Sequence, residues 1–391
     1  MSKPKISFYP VGNGSMTLIE IFTTPKRVIL FDMNIKGAAD DDSDTETFDV
    51  AGDLRKRLPE DSEGRPYVDL FIHSHADDDH ILGVRKHFHL GEVSDWREPE
   101  ENEDPMILIH EIWTSSWYRK IYTKENNTLD EDAKALHKEI RRRIDAGKEE
   151  DGNRVRVLGS DHEDDSKDSR FRYKIGEEIS LFGSSVVARV LGPIAKFKSE
   201  EDGGEDSGNY EEKNRGSIVM QFTIKSNDGR NSAKILMGDD TEVAVWEQTE
   251  KKFAESDLKY DVLLAPHHCS WKSLSRGHAE DKDSTIVINA KKALSHNNEG
   301  AYIVISALSL EHENKKERKL GRERAFEEYK SIVNASHVLW TDDVPKGKKC
   351  PQPIEFEVSN IGGVIRNSIL ADNLSSSANA ATAGTTYPHG V

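Results

Sequence analysis

The sequence predicts an α/β protein with two sheets and helices outside them, one α/β unit in each half of the chain. Three observations carry that expectation. Short apolar runs suited to strands alternate with amphipathic stretches along the chain. No apolar run approaches the ~18–20 residues of a membrane span, and no segment recurs at a fixed period of about 20–50 residues. With 391 residues, 35 % of them hydrophobic, the chain is long enough for a sizeable core.

In the N-terminal half, Lys5–Val11, Met16–Phe22 and Val28–Phe31 read as three short strands joined by tight connections. Val50–Leu58 reads as a helix, Val68–Ile72 as a buried strand and Met106–Ile112 as another strand. Thr128-Leu-Asp-Glu131 reads as a capping box opening a helix, with Leu136, Ile140 and Ile144 on one face. Val155–Leu158, Glu178–Phe182 and Val186–Val190 follow as strands. In the C-terminal half, strands are expected at Ser217–Ile224, Lys234–Met237, Asp261–Ala265, Thr285–Ile288, Ala301–Ser306 and His337–Thr341. Helices fit Thr241–Phe253 and Lys319–Val333, the second with Phe326, Tyr329 and Val333 on one face. From about Ala371 the chain is rich in Ala, Ser, Thr, Asn and Gly with almost no charge, so 371–391 is expected to be a disordered tail.

The 54 Lys and Arg against 71 Asp and Glu leave a formal charge of −17, which argues against an unaided nucleic-acid clamp. The acid is clustered. Residues 40–63, 92–104 and 199–212 hold ten, seven and seven acidic residues, so the rest of the chain is close to neutral. These stretches read as solvated loops. Lys315–Arg324 has the opposite sign, with six bases and two acids, and enters a helix. Cys269 and Cys350 are too few for a disulfide framework or a Cys-rich zinc site. Met1-Ser2-Lys3-Pro4-Lys5 leads straight into a strand rather than a signal segment, so the expected setting is cytoplasmic.

One motif carries chemistry. The strand Val68–Ile72 runs into His73-Ser-His75-Ala-Asp77-Asp78-Asp79-His80-Ile-Leu-Gly83. Histidines and aspartates crowded at a strand end are hard to explain as packing. Neutral imidazole mixed with carboxylate suits Zn²⁺, Mn²⁺ or Fe better than Ca²⁺ or Mg²⁺. The alternation His75-x-Asp77-x-Asp79 aims side chains to one side, with His80 adding a neighbouring direction, and that geometry suits two cations.

Read from His75, this run resembles the His-x-His-x-Asp-His signature of the metallo-β-lactamase superfamily, with Asp77 in place of the second histidine and Gly83 retained. The variant is similar to the hydrolase domain of the ComEC competence proteins, here without channel segments. His73 then lies on the strand just before the site, as a supporting or core histidine. Further segments agree in the family's order. Phe8-Tyr-Pro-Val-Gly-Asn-Gly-Ser-Met-Thr-Leu-Ile resembles the opening strand–Gly-x-Gly–strand, and Ile29-Leu-Phe-Asp32 the buried aspartate that supports the ligands. Asn214-Arg-Gly-Ser217 resembles the Asn-x-x-Ser segment, Leu236-Met-Gly-Asp239-Asp240 the Gly-Asp, and Leu263-Leu-Ala-Pro-His267-His268-Cys269-Ser270 the Pro-His-His-Gly-Ser. Cys269 departs from the usual glycine. Asn214 and Ser217 stand where the superfamily has its middle ligand histidine, and His312 with Asn314 are the candidates for a later Asn and His-Pro loop.

The resemblance covers about residues 5–345. It implies an αββα sandwich of two mixed β-sheets flanked by helices, a single domain over 1–370. The acidic stretches and a helical segment at about 113–150 would be insertions. It implies one or two divalent ions, Zn or Mn. His75, Asp77 and Asp239 would hold one; Asp79, His80, His267 and a shared Asp239 would hold the other. Asp79 would also orient the nucleophile, Asp32 and His73 would support ligands, and His268 would donate to the scissile group or leaving oxygen. Asn214, Ser217, Ser270, His312, Lys315 and Lys316 are the expected substrate contacts. The implied activity is a metal-dependent hydrolase using a metal-bound hydroxide, a phosphodiesterase or nuclease foremost. A small ester, thioester or lactone hydrolase is the alternative, and a non-catalytic subunit of a larger assembly comes third. The basic run favours phosphate and the acidic loops disfavour long duplex DNA. A protein partner supplying nucleic-acid affinity would reconcile the two, and no membrane association is expected.

Overall fold

Side-chain alternation along the strands decides the layering. In the strand Arg27–Phe31, Val28 and Leu30 enter one apolar cluster while Ile29 and Phe31 enter another. Such a strand has no wet face and must lie in a sheet covered on both sides. A computed structural model describes residues 2–41, 43–117, 129–159, 169–194, 214 and 216–367. The expected acidic loop 199–212 and the tail 371–391 lie outside the described residues.

The strands run in chain order as β1 (Lys5–Phe8), β2 (Thr17–Ile21), β3 (Arg27–Phe31), β4 (Met33–Asn34), β5 (Tyr67–His73), β6 (Ile81–Leu82), β7 (Leu108–Ser115), β8 (Arg154–Leu158) and β9 (Arg172–Tyr173). There follow β10 (Glu178–Leu181), β11 (Val186–Gly192), β12 (Val219–Lys225), β13 (Ser232–Met237), β14 (Tyr260–Leu264), β15 (Asn297–Ile305), β16 (Val338–Trp340), β17 (Ile354–Val358) and β18 (Val364–Arg366). They form a nine-stranded sheet ordered β18-β17-β1-β2-β3-β5-β7-β8-β9 and a seven-stranded sheet ordered β10-β11-β12-β13-β14-β15-β16. Both are mixed: β3, β5, β7, β8 and β9 run parallel in the first, and β13 to β16 in the second.

The two sheets face each other across a shared core of Phe31, Leu70 and Ile72 against Met220, Phe222 and Met237. The outer face of the first sheet is covered by the helices Val50–Arg57 and Glu131–Ala146, through Leu54, Leu136, Ile140 and Ile144. The second is covered by Val243–Lys252, Ile288–Ala293 and Lys316–Ile332, through Trp246, Ala290, Ala325 and Tyr329. The result is an α/β sandwich with helical outer layers. No helix among the described residues is long and apolar enough to cross a membrane.

Several elements differ from expectation. Thr285–Ile288 is not a strand: the helix Ile288–Ala293 starts there, with Ile288 exposed and Ala290, Ala293 and Leu294 buried. A short apolar run is ambiguous between strand and helix, and burial at helical spacing decides it. The helix Glu131–Ala146 is capped by Asp130, whose side chain accepts from Ala133 N, rather than by Thr128, which lies outside the described residues. Trp113–Ser115, expected at the start of the helical segment, complete β7, and the helix itself makes the crossover that parallel β7 and β8 require. β17 and β18 were not anticipated. β17 pairs with β1, so Ile354, Phe356 and Val358 fill the shared core.

Candidate metal centre

Parallel strands collect loops at their C-terminal ends, where open α/β sheets bind ligands. Asp32 follows β3 and His75 to His80 follow β5 in the first sheet; Asp239 and Asp240 follow β13 and His267 and His268 follow β14 in the second. The face-to-face sheets bring these four loops together. The β4–β6 pair, Met33 with Ile81 and Asn34 with Leu82, pins the β5 loop against the end of β3. Gly14 permits a close approach on the other side. A Cβ there would lie 2.5 Å from the Asp79 carbonyl oxygen and 2.0 Å from Asn34 Nδ2.

The buried carboxylates orient the rings. Asp32 accepts from Ser74 N at 2.8 Å and Ser74 Oγ at 2.6 Å, and His80 Nδ1 lies 3.0 Å from Asp32 Oδ2. Asp239 Oδ2 lies 2.8 Å from His75 Nδ1 and meets Ser74 Oγ, while its Oδ1 lies 2.9 Å from His80 Nδ1. With both Nδ1 atoms engaged, the Nε2 atoms turn to Asp240, His80 Nε2 at 3.4 Å and His75 Nε2 at 3.7 Å. His268 Nδ1 donates to the Ser306 carbonyl at 2.8 Å, which sends its Nε2 to Asp240 at 3.1 Å and Asp79 at 3.5 Å. His75 Nε2 is buried and makes no hydrogen bond, although Asp77 and Asp240 oxygens lie 3.5 and 3.7 Å away. A buried imidazole nitrogen facing two carboxylates fits a divalent cation.

Three ligand sets are close enough to hold such an ion, their donor atoms within 4.8 Å of one another: His75, His80 and Asp239; Asp79, His80 and His268; His75, Asp77 and Asp240. The sets overlap at His75 and His80. Their grouping has Asp240 beside His75 and Asp77, and His268 beside Asp79 and His80, positions that the sequence reading gave to Asp239 and His267. His267 stands at the margin with its Nε2 3.8 Å from Asp240.

Charge couples the cluster. Burial opposes ionisation of His75, yet Asp239 and Asp77 raise it to about 10, and the same balance raises His80. Burial also opposes the charged form of His268, which Asp240 and Asp79 raise to about 9. Asp239 and Asp240 stay far below the carboxylate range, against burial, because His80 with His75, and His268 with His80, surround them. Asp32 goes the other way, to about 7, through burial and the Asp239 charge. Burial lowers His73 to about 3; its Nδ1 lies 4.0 Å from Asp32.

The remaining expected contacts scatter. Ser270 and Lys315 line a cavity of about 490 Å³ whose floor is Asp77, Asp79, Asp240, His267 and His268. Asn214 and Ser217 are buried, with Asn214 Nδ2 3.4 Å from Glu242 Oε1, and neither lines the cavity. His312 is exposed and held 2.6 Å from Asp342, and Lys316 is exposed at the helix start; neither lines the cavity.

Two features were missed. Asp240 is the carboxylate that the Nε2 atoms face, and an Asp-Asp dipeptide carries no signal as to which member points where. The second is a brace around the His-His loop. His267, His268 and Cys269 all have φ between 50° and 65°, a conformation that favours glycine. The fully buried Arg322 donates to the His268 carbonyl at 3.1 Å, the Leu308 carbonyl at 3.2 Å, Asn13 Oδ1 at 2.7 Å and Glu313 at 2.6 Å. In the sequence nothing marks this brace; Arg322 there is one base within the run Lys315–Arg324.

The fold and site thus define an α/β sandwich with a buried His/Asp cluster that could bind a metal ion. Compared with known proteins, the chain matches no family model and no curated protein.

Proposed function

We propose that this protein is a metal-dependent hydrolase of phosphodiesters, of the metallo-β-lactamase superfamily type that its His75–His80 motif resembles. The observation that carries the reading is the overlap of three His/Asp ligand sets, of which Asp77, Asp79, Asp240 and His268 line one cavity. A divalent ion bound there supplies a Lewis acid that activates water and neutralises developing charge on a phosphoryl oxygen. The chain's own residues do the rest. Asp32 and Asp239 fix the His80 and His75 rings through Nδ1, so both Nε2 atoms face inward. Asp79, with its side chain 38 % exposed, is placed to accept a proton from an attacking water. His268 donates from Nδ1 to the Ser306 carbonyl, which leaves Nε2, 3.1 Å from Asp240, as the atom that would hold the ion beside Asp79 and His80.

Phosphate is favoured over a carboxylic ester because Lys272, Arg276, Lys315 and Arg318 line the same cavity. The test uses purified protein with Mn²⁺ or Zn²⁺ and bis-p-nitrophenyl phosphate, beside His75→Ala and Asp240→Ala. Hydrolysis by the wild type is expected to fall at least 100-fold in each variant, with lower metal content by elemental analysis. Equal activity in all three proteins would refute the proposal.

A further inference from the structure

The loop of residues 12–15, between β1 and β2, is fastened on both of its sides. On one side the Asn13 carbonyl accepts from Asn34 Nδ2 at 3.0 Å, and Ser15 N donates to the Asp79 carbonyl at 3.2 Å. On the other, Ser306 Oγ, just after β15, donates to the Gly14 carbonyl at 2.6 Å. Gly12 and Gly14 take φ of 72° and 144°, which gives the loop the turn that presents Asn13. The Asn13 side chain lines the cavity together with Asp79, Asp240 and His268.

Its partners settle which amide atom is which. Asn13 Oδ1 faces two groups that can only donate, Leu308 N at 3.1 Å and Arg322 Nη2 at 2.7 Å. The atom they share must be the oxygen, so Nδ2 stands on the other side of the amide. There it donates to Glu313 Oε2 at 3.4 Å, a long bond to a carboxylate that already pairs with Arg322 at 2.6 Å. An amide nitrogen carries two N–H groups, so this contact leaves a second donor on a side chain that lines the cavity. The buried Arg322 fixes the amide before any ligand arrives.

A fixed neutral donor suits one task in the proposed reaction. As water attacks a phosphodiester, charge builds on both non-bridging oxygens of the phosphoryl group. The His/Asp sets account for charge beside the ion, and the other oxygen needs a donor from elsewhere in the cavity. A donor held in place beforehand serves it with no cost of reorganisation. We propose that Asn13 Nδ2 donates to one non-bridging oxygen of the scissile phosphodiester, which makes Asn13 a catalytic residue. This rests on the phosphodiesterase reading and adds a substrate contact to it.

The experiment compares the Rp and Sp isomers of methyl p-nitrophenyl phosphorothioate, using Mn²⁺-loaded wild type, Asn13→Asp and Asn13→Ala. Asn13→Asp keeps the oxygen that Leu308 and Arg322 require and removes the donor; Asn13→Ala removes the donor without adding charge. Sulfur is a weak acceptor, so a donor to one oxygen affects one isomer and not the other. Both variants are expected to lower kcat/KM for bis-p-nitrophenyl phosphate about tenfold or more with manganese content unchanged, and to change the Rp/Sp rate ratio about threefold or more. Inorganic phosphate, titrated by calorimetry, is expected to bind Asn13→Ala about threefold or more weakly than wild type. An Rp/Sp ratio equal to that of wild type, or loss of manganese from both variants, would overturn the contact and leave Asn13 a structural tie. Hydrolysis of no diester by the wild type would instead remove the phosphodiesterase reading. Phosphate binding would then still judge the contact: weaker binding to Asn13→Ala supports it, and equal binding overturns it.

Discussion

Three successive non-glycine residues with positive φ make the His267–Cys269 turn the most strained stretch near the cluster. Burial of the Cys269 side chain and the Arg322 brace offset that strain. Cys269 stands where the resembling family has glycine; its side chain is buried in the apolar cluster with Trp271 and Tyr329, and burial drives its thiol pKa upward, which disfavours the thiolate. Arg322→Met is expected to lower stability by about 3 kcal/mol, because it leaves Glu313 buried and releases the His268 carbonyl. Urea denaturation checks this, and a loss under about 1 kcal/mol would mean that the turn holds itself. The sequence made His267, His268 and their neighbours visible as a cluster. It did not reveal the brace, since Asn13, Leu308, Glu313 and Arg322 are distant or unremarkable along the chain.

The helix Glu131–Ala146 illustrates how a pattern can identify an element and misplace its end. Leu136, Ile140 and Ile144 are buried against the first sheet, as their spacing on one face requires. The sequence reading places the start at the Thr128 box, and the structure uses Asp130, whose Oδ1 accepts from Ala133 N at 2.8 Å. Asp130→Ala should therefore lower stability by about 1 kcal/mol and Asp130→Ser should be close to neutral, measured by thermal unfolding. From the last turn, Arg143 is buried and donates to the Ile109 carbonyl at 2.9 Å and the Arg154 carbonyl at 3.1 Å, tying the helix to β7 and β8. An arginine near a helix C-terminus is ordinary in sequence, so that tie is not legible there.

Closure of the whole sandwich depends on the chain's return after β16. β17 inserts beside β1, and Glu355 on it meets Arg57 at 2.6 Å and Lys5 at 3.3 Å. Burial opposes the Glu355 charge, but Arg57 and Lys5 hold its carboxyl below the usual value of 4.5. A depressed carboxylate stabilises the fold above its unfolded pKa and loses that contribution as pH falls through the folded pKa. Glu355→Gln is thus expected to lower the urea midpoint at pH 7, with the gap to wild type closing as pH falls below about 4. A gap independent of pH would show that packing, and not charge, holds β17.

Local chemistry in the sequence was enough to specify most strands and the concentration of ligand-type side chains after β5, because side-chain period and residue type act over a few positions. Partnership across the sandwich was settled by folding. The nearest contacts of His75 and His80 include Asp239 and Asp240, more than 150 positions away and on the other sheet. Whether Asp239 or Asp240 faces the Nε2 atoms depends on which way the chain turns after β13, where Asp239 takes φ 42°. The basic residues lining the cavity likewise come from two elements, Lys272 and Arg276 after β14 and Lys315 and Arg318 at the start of the helix Lys316–Ile332, which meet where Arg324 stacks on Trp271. Backbone direction and the meeting of two sheets are long-range consequences of core burial, and no window of sequence carries them.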